Sequence, residues 1–494
     1  MTQRDIRLQY SGTLIFAAKM ASVATGLIFQ FMIARSLLPT HAEEYDLWFN
    51  INDLTAYFTL IAGVLPFWVM RAVTRDKQGA AKTGIVANLM ISLVATLLYL
   101  VAVPFVLMAL NISLAYLPVY FVVALQIVEL HSLATLEACL QARIPRTIGY
   151  GLLVQQVGKV ILGYVLIIQL NQLLLGAVVS TIVAFGIQIF YYFRLVWGEL
   201  QEKIRLEYVK EWLKGSILNI YNVAGSQIAA LIFIMLLEYG QEGARGRLGA
   251  ATTIANVITY SSFLAYALYP KLLAERKSED ITTSLKLVLM FAVPLSTGAI
   301  ALSDSYITIL TDVYTDAAPV LVILAMDSFV ITVAGLFSTI LLGVERVDEE
   351  GKLSLRQLLK SRIFKAFSLP YVHAAIALPT AFYVLTNYTL NQPLQSTLSV
   401  SLINFVLRLA LFFVLYAIVR NMIEIHIPWK NIAKYIFAAA VMGSILYLVP
   451  HPTRILTTLA ETALGGLIYL GVLFAIDKEA RTLPRTILQE MLNR

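Results

Sequence analysis

Seven ionisable side chains of this 494-residue chain stand inside long apolar runs: Lys19, Asp53, Glu129, Glu137, Lys159, Asp327 and Arg408. A charge at the centre of a bilayer costs about 2.5–3.5 kcal/mol on insertion scales, so each needs a partner or a wetted cavity. Two chemistries fit. In one, Lys19, Lys159 and Arg408, with Arg35 near a helix end, attract the anionic group of a substrate, while Asp53, Glu129 and Asp327 couple an ion or exchange partners. In the other, Lys19–Asp53, Lys159–Glu129 and Arg408–Asp327 are structural pairs. Three closed pairs in lipid are a costly route to stability that leucine would supply, which favours the first. Glu137 lies near the end of its run and can snorkel, and His131 reads as a packing histidine.

Polar companions recur at helical spacing beside these charges. Lys19 shares a face with Ser22, Gly26 and Gln30, and Asp53 with Asn50 and Tyr57. Gln155 and Gln156 lie one turn before Lys159, and Asn404 one turn before Arg408. Asn219 with Asn222, and Asn256 with Tyr260, continue the pattern. One stripe per helix predicts a hydrophilic vestibule lined by Asn50, Asn219, Asn222, Asn256, Asn404 and Gln155.

The elements that must position these residues are helices. With 59% hydrophobic and 14% charged residues the chain is no water-soluble globule, and its 24 Phe and 25 Tyr exclude a disordered one. A span takes about 20 mostly apolar residues. Fourteen windows qualify: 11–34, 46–70, 85–110, 115–139, 148–169, 172–194, 215–238, 248–270, 285–306, 317–343, 367–389, 396–419, 432–449 and 457–476. Nearly all of the 37 Lys and Arg fall in alternate loops, leaving Arg35, Arg245, Arg247 and Arg454 for the others. By the positive-inside rule both termini face the cytoplasm of a cell membrane. The net charge of +7 is then a topology signature, and no nucleic-acid partner follows from it.

A shift of about 203 residues lays the first helical hairpin on the seventh and eighth windows, with Gly12 on Gly215, Asn50 on Thr253, Asp53 on Asn256 and Tyr57 on Tyr260. Units of six helices each enter the membrane in the same sense, so an axis along the membrane normal relates them. The expected architecture is an all-α polytopic membrane protein of about fourteen transmembrane helices. Two six-helix lobes, 1–205 and 206–425, are followed by two extra helices and a tail, 426–494.

Catalytic signatures are missing. No GxxxxGK[ST], HExxH or GxSxG occurs, and the single cysteine, Cys139, offers neither a disulfide nor a zinc site. No enzyme activity and no cofactor are expected. A membrane-embedded glycosyltransferase is the weakest alternative, resting on the acidic loop His41 to Asp46. Leu353 to Phe364 carries apolar residues on one side and Arg356, Lys360 and Arg362 toward the other, and reads as an interfacial helix on anionic headgroups.

Three stretches give the chain a resemblance. They are GLIFQFMIARSLLP within Gly12–Asp46, LPFWVMRAVTR at Leu65–Arg75, and the proline-containing stretch Val293–Ala325. Together they resemble the multidrug/oligosaccharidyl-lipid/polysaccharide (MOP) exporter superfamily, specifically its polysaccharide flippase branch. The resemblance implies a V-shaped protein that alternates between inward- and outward-open states and flips a polyprenyl- or dolichyl-linked oligosaccharide through its (pyro)phosphate. Lys19, Lys159, Arg408 and Arg35 are the positions that would form the cationic cavity of such members. Fourteen helices resemble the lipid II flippase branch, whose extra pair helps form a groove for the lipid tail. The expected partners are that lipid-linked substrate and membrane lipids, with coupling to H+ or Na+ left open and a monomer as the unit. The alternative is a cation-coupled multidrug exporter of the same superfamily, against which a lysine in the middle of the first helix argues.

Overall fold

The computed structural model describes residues 16–17, 21, 25–26, 28–29, 32–33, 36, 42–109, 112–240, 244–266, 268–274, 277–310, 315–345, 361–390 and 392–483. Lys19, Arg35 and most of the segment 353–364 lie outside them. The described residues are helical throughout, with no strand among them. Hydrocarbon offers the backbone no hydrogen-bond partner, so long apolar runs close their bonds within helices.

The first unit runs to Ile220. The described residues between 16 and 36 are helical. They are followed by α1 (Ala42–Thr59), α2 (Val64–Thr74), α3 (Ala80–Ala109), α4 (Leu117–Arg143), α5 (Arg146–Gly163) and α6 (Leu173–Val196). A π-helical turn, Tyr164–Gln169, ends α5. The centre is α4, which packs against α1, α2, α3 and α6. Its core joins Phe29, Trp48, Ile51, Tyr99, Val103, Tyr120, Ile127 and Leu174.

The second unit begins at Tyr221, within α7 (Leu206–Tyr239). It continues through α8 (Ala244–Thr259), a 3-10 segment Tyr260–Ala265, α9 (Leu268–Ala274), α10 (Ser278–Ala301), α11 (Ser303–Leu310) and α12 (Ala318–Val344). Then come α13 (Arg362–Phe367), α14 (Leu369–Asn387), α15 (Pro393–Arg420), α16 (Trp429–Leu448) and α17 (Ile455–Ile476). Here α12 is central, packed on α8, α9, α10 and α15. The last two helices are tied to this unit: α16 lies along α10, Tyr469 donates to the Met290 carbonyl at 2.6 Å, and Tyr306 and Thr462 share a hydrogen bond at 2.7 Å.

Eleven helices among the described residues are long and apolar enough to cross a membrane, and the chain is a multi-pass membrane protein. Three of the fourteen windows stand outside that number. The first lies largely outside the described residues, the seventh retains the apolar stretch Ile220–Phe233, and the second is broken between α1 and α2 at Leu60–Gly63. The break has a cause in Pro66, whose missing N–H leaves the Ala62 carbonyl without its helical partner. Ahead of it Thr55 donates to the Ile51 carbonyl at 2.8 Å and Thr59 to the Thr55 carbonyl at 3.1 Å, back-bonds that bend a helix without ending it. Buried Asn88 of α3 then donates to Ala62 O at 3.2 Å inside the break and to His131 O of α4 at 2.8 Å, so the released carbonyl is satisfied. His131 itself is buried, with Nδ1 2.9 Å from the Ile127 carbonyl, and it packs.

The second unit repeats the device about 204 residues later, with Pro270 third in α9 as Pro66 is third in α2. Thr259, Ser261 and Ser262 donate to Asn256, Ile258 and Thr259 carbonyls at 2.6–2.7 Å, and α8 gives way to the 3-10 segment before α9. Pro104, Pro294 and Pro379, by contrast, sit inside unbroken helices.

Close approach of α5 and α6 depends on one glycine. A Cβ on Gly151 would lie 2.1 Å from a ring carbon of Tyr192. That ring cannot yield, because its hydroxyl donates to Ile148 O and accepts from Gln188, both at 2.9 Å. We expect Gly151→Ala to destabilise the protein by about 1–3 kcal/mol through overpacking. It should lower the thermal midpoint in detergent, whereas Gly471→Ala, which meets nothing within 4 Å, leaves it in place.

Candidate functional site

In the first unit the site is assembled from α5 and the helical residues that precede α1. Thr25 donates to Ala21 O at 3.0 Å and to Gln156 Oε1 at 3.3 Å. One turn along α5, Lys159 Nζ sits 5.1 Å from the centroid of the Phe29 ring. The ring reaches this place because Gly163 has no side chain: a Cβ there would lie 2.6 Å from it. Among the described residues Lys159 makes no ion pair and no hydrogen bond, and the aromatic face is its only electrostatic partner. Gln155 is buried beside it.

Glu129 is the second ionisable group of this unit without a charge partner among the described residues. It is half-buried on α4, and its Oε2 is shielded from solvent with no hydrogen-bond partner. Its Oε1 lies 3.6 Å from the point where Gly186 of α6 would carry a Cβ. The pairing of Lys159 with Glu129 read from the sequence is therefore not made. The reason is the packing order: α6 lies against both α4 and α5, and the acid turns to α6 while the lysine turns to Phe29.

The second unit pairs one of its acids. Arg408 of α15 forms a hydrogen-bonded ion pair with Asp327 of α12, whose carboxylate is only 4% exposed while the arginine is 34% exposed. His373 of α14 is buried and lies against the Asn404 backbone and the Arg408 charge. The other carboxylate oxygen of Asp327, Asn404 Oδ1 and His373 Nε2 are all buried without a partner. Three helices thus bring polar atoms with spare hydrogen-bonding capacity around one ion pair.

The remaining residues singled out in the sequence divide. Asn222 is half-buried on α7 and Asn256 exposed on α8. Asn50 and Asp53 lie on α1 and Asn219 on α7, with side chains outside the described residues, as are Lys19 and Arg35. Two residues escaped the sequence reading. His373 was visible as a histidine in the eleventh window, and Glu461, on α17 beside the Tyr306–Thr462 contact, as an acid in the fourteenth. Glu461 Oε2 is buried without a partner. No group of three His, Cys, Asp or Glu within reach of one metal ion occurs among the described residues.

No protein-family model matches the sequence, and no curated protein does. Solved structures do match over nearly the whole chain. A MOP-superfamily transporter from Pyrococcus furiosus, described as having a binding pocket of reverse polarity that suggests a different function, aligns with a TM-score of 0.67 at 13% identity. The alignment covers 85% of this chain and 99% of that one. The fold is MATE-like. A MATE transporter in complex with MaD3S aligns at 0.65 and 14% identity, covering 84% and 96%. An outward-facing multidrug resistance MATE family transporter aligns at 0.63 and 13%, covering 86% and 100%. These structural neighbours are MATE transporters of the MOP superfamily, and at such identities the likeness is one of fold.

The Asp327–Arg408 pair makes a direct prediction. Arg408→Ala leaves a buried carboxylate without its counter-charge, at a cost of about 3 kcal/mol, the low end for breaking a buried pair because the arginine is partly exposed. Thermal unfolding in detergent should show a lowered midpoint for Arg408→Ala and partial recovery in the double variant Asp327→Ala/Arg408→Ala.

Proposed function

We propose that the chain is an exporter that carries an amphipathic organic substrate across the membrane by alternating access, in the manner of a multidrug transporter. The observation that carries this reading is the pair of ionisable groups, Glu129 and Lys159, that lack a charge partner among the described residues within membrane-spanning helices of the first unit. Ionisable groups within such helices mark pathways for substrates and ions in membrane proteins. The fold supports the same conclusion, since its neighbours are MATE transporters and one is a multidrug resistance protein.

A second reading rests on Lys159 alone. An ammonium held over an aromatic ring, with Gln155 and Gln156 a turn away, has no counter-ion to surrender before meeting a phosphate. That suits a flippase for (pyro)phosphate-linked oligosaccharide lipids. The Pyrococcus furiosus neighbour, with its reversed pocket polarity, lends the reading further support.

The two separate in reconstituted vesicles. Under the multidrug reading, vesicles accumulate or expel a cationic dye such as ethidium in response to an imposed ion gradient, Glu129→Gln abolishes this, and Lys159→Ala does not. Under the flippase reading, labelled lipid-linked oligosaccharide becomes accessible to an enzyme on the far side, and Lys159→Ala and Lys19→Ala each slow this by about tenfold or more. Vesicles that do neither would refute the transport reading.

A further inference from the structure

Three segments of the second unit enclose a cavity of about 240 Å³: Thr283 and Lys286 of α10, Tyr435 of α16, and Glu479 just past the end of α17 face it. Buried Leu287 and Met290 give it an apolar base. Its charged lining is one residue of each sign, Lys286 and Glu479, which meet at 2.6 Å and are both partly exposed. The wall that carries the acid is fixed in place. Asp477, buried after α17, accepts from Asn431 of α16 at 3.1 Å and from the Glu479 backbone at 2.9 Å, and it lies 3.6 Å from Lys434. These contacts hold the turn after α17 against α16, and they set Glu479 across from Lys286. Helix ends of membrane spans stand at the level of the lipid head groups, which is where this cavity opens.

From this lining we propose that the cavity is a binding site for the zwitterionic head group of an ethanolamine phospholipid. Lys286 takes the phosphate and Glu479 the primary ammonium, so the ion pair opens and each member gains a partner of opposite charge. A partly exposed pair contributes little to stability, and opening it costs correspondingly little. An anionic ligand would meet Lys286 and strand Glu479, and a cation would do the reverse. The hydroxyl of Thr283 sharpens the choice. Its proton goes to the Glu279 carbonyl at 2.9 Å, so its oxygen accepts from the cavity side; a primary ammonium has three N–H groups to donate, where a quaternary choline has none. Size sets the remaining limit. Pockets for drug-sized ligands run from about 300 to 1,000 Å³, and this smaller one takes a head group while the acyl chains stay outside in the bilayer. The site uses neither Glu129 nor Lys159, and it stands independently of the transport reading.

The test is native mass spectrometry of the full chain in detergent, titrated with dioleoyl phosphatidylethanolamine, phosphatidylcholine or phosphatidylglycerol. The ethanolamine lipid is expected to bind about tenfold or more tighter than either of the others, the worth of one hydrogen bond to a charged group. Glu479→Gln should erase its advantage over the choline lipid, and Lys286→Gln should weaken both. Thr283→Phe, which fills the cavity without altering charge, should abolish the preference as well. Elution as a monodisperse peak and an unchanged thermal midpoint identify the folded variants, and Glu479→Gln decides alone where Thr283→Phe misfolds. Equal binding of the three lipids, preference for phosphatidylglycerol, or an ethanolamine preference that survives Glu479→Gln overturns the proposal. Water-soluble glycerophosphoethanolamine separates the lipid from a free head group. It should displace the lipid only weakly, and displacement at equal concentration overturns the lipid as the occupant.

Discussion

A peptide group or a charge that leaves water for hydrocarbon must bring its partner with it, and each irregularity of this structure answers to that constraint. The broken second helix is the clearest case. Pro66 has no N–H to return to Ala62, and Asn88 reaches across from α3 to that carbonyl. In the second unit Pro270 holds the matching place, and Thr259, Ser261 and Ser262 donate to carbonyls of the 3-10 stretch before it. Charges follow the same rule in the second unit, where Asp327 is met by Arg408.

The sequence made the helices legible because a span is a property of composition, and composition can be averaged over a window. Eleven spans among the described residues coincide with expected windows. The break in the second was hidden from that average, because a single residue, Pro66, causes it and a window mean does not register one residue. Pro104, Pro294 and Pro379, by contrast, are accommodated without breaking their helices.

The site was legible in part for a related reason. Helical spacing tells which residues share a face, so Gln155 and Gln156 were grouped with Lys159, and Asn404 with Arg408. It says nothing of which helix that face meets. Arg408 does meet Asp327, but Lys159 turns to Phe29 and Glu129 to Gly186, because α6 is the common neighbour of the two helices that carry them. Gly186 drew no attention in the sequence at all. A glycine in an apolar helix carries no chemistry of its own, and its meaning arises only from the carboxylate opposite.

The seam between α5 and α6 is fixed by packing and by one tyrosine hydroxyl. Gly151 admits the Tyr192 ring against the α5 backbone, and the Tyr192 hydroxyl is fixed from both sides by Ile148 and Gln188. The Phe29 ring seated at Gly163 gives the lysine a partner of its own, worth about 2 kcal/mol when desolvated, less than a well-formed buried ion pair would provide. The ammonium is therefore steadied without being neutralised. With the acid against α6 and the base against Phe29, the first unit leaves these two ionisable groups unpaired with each other.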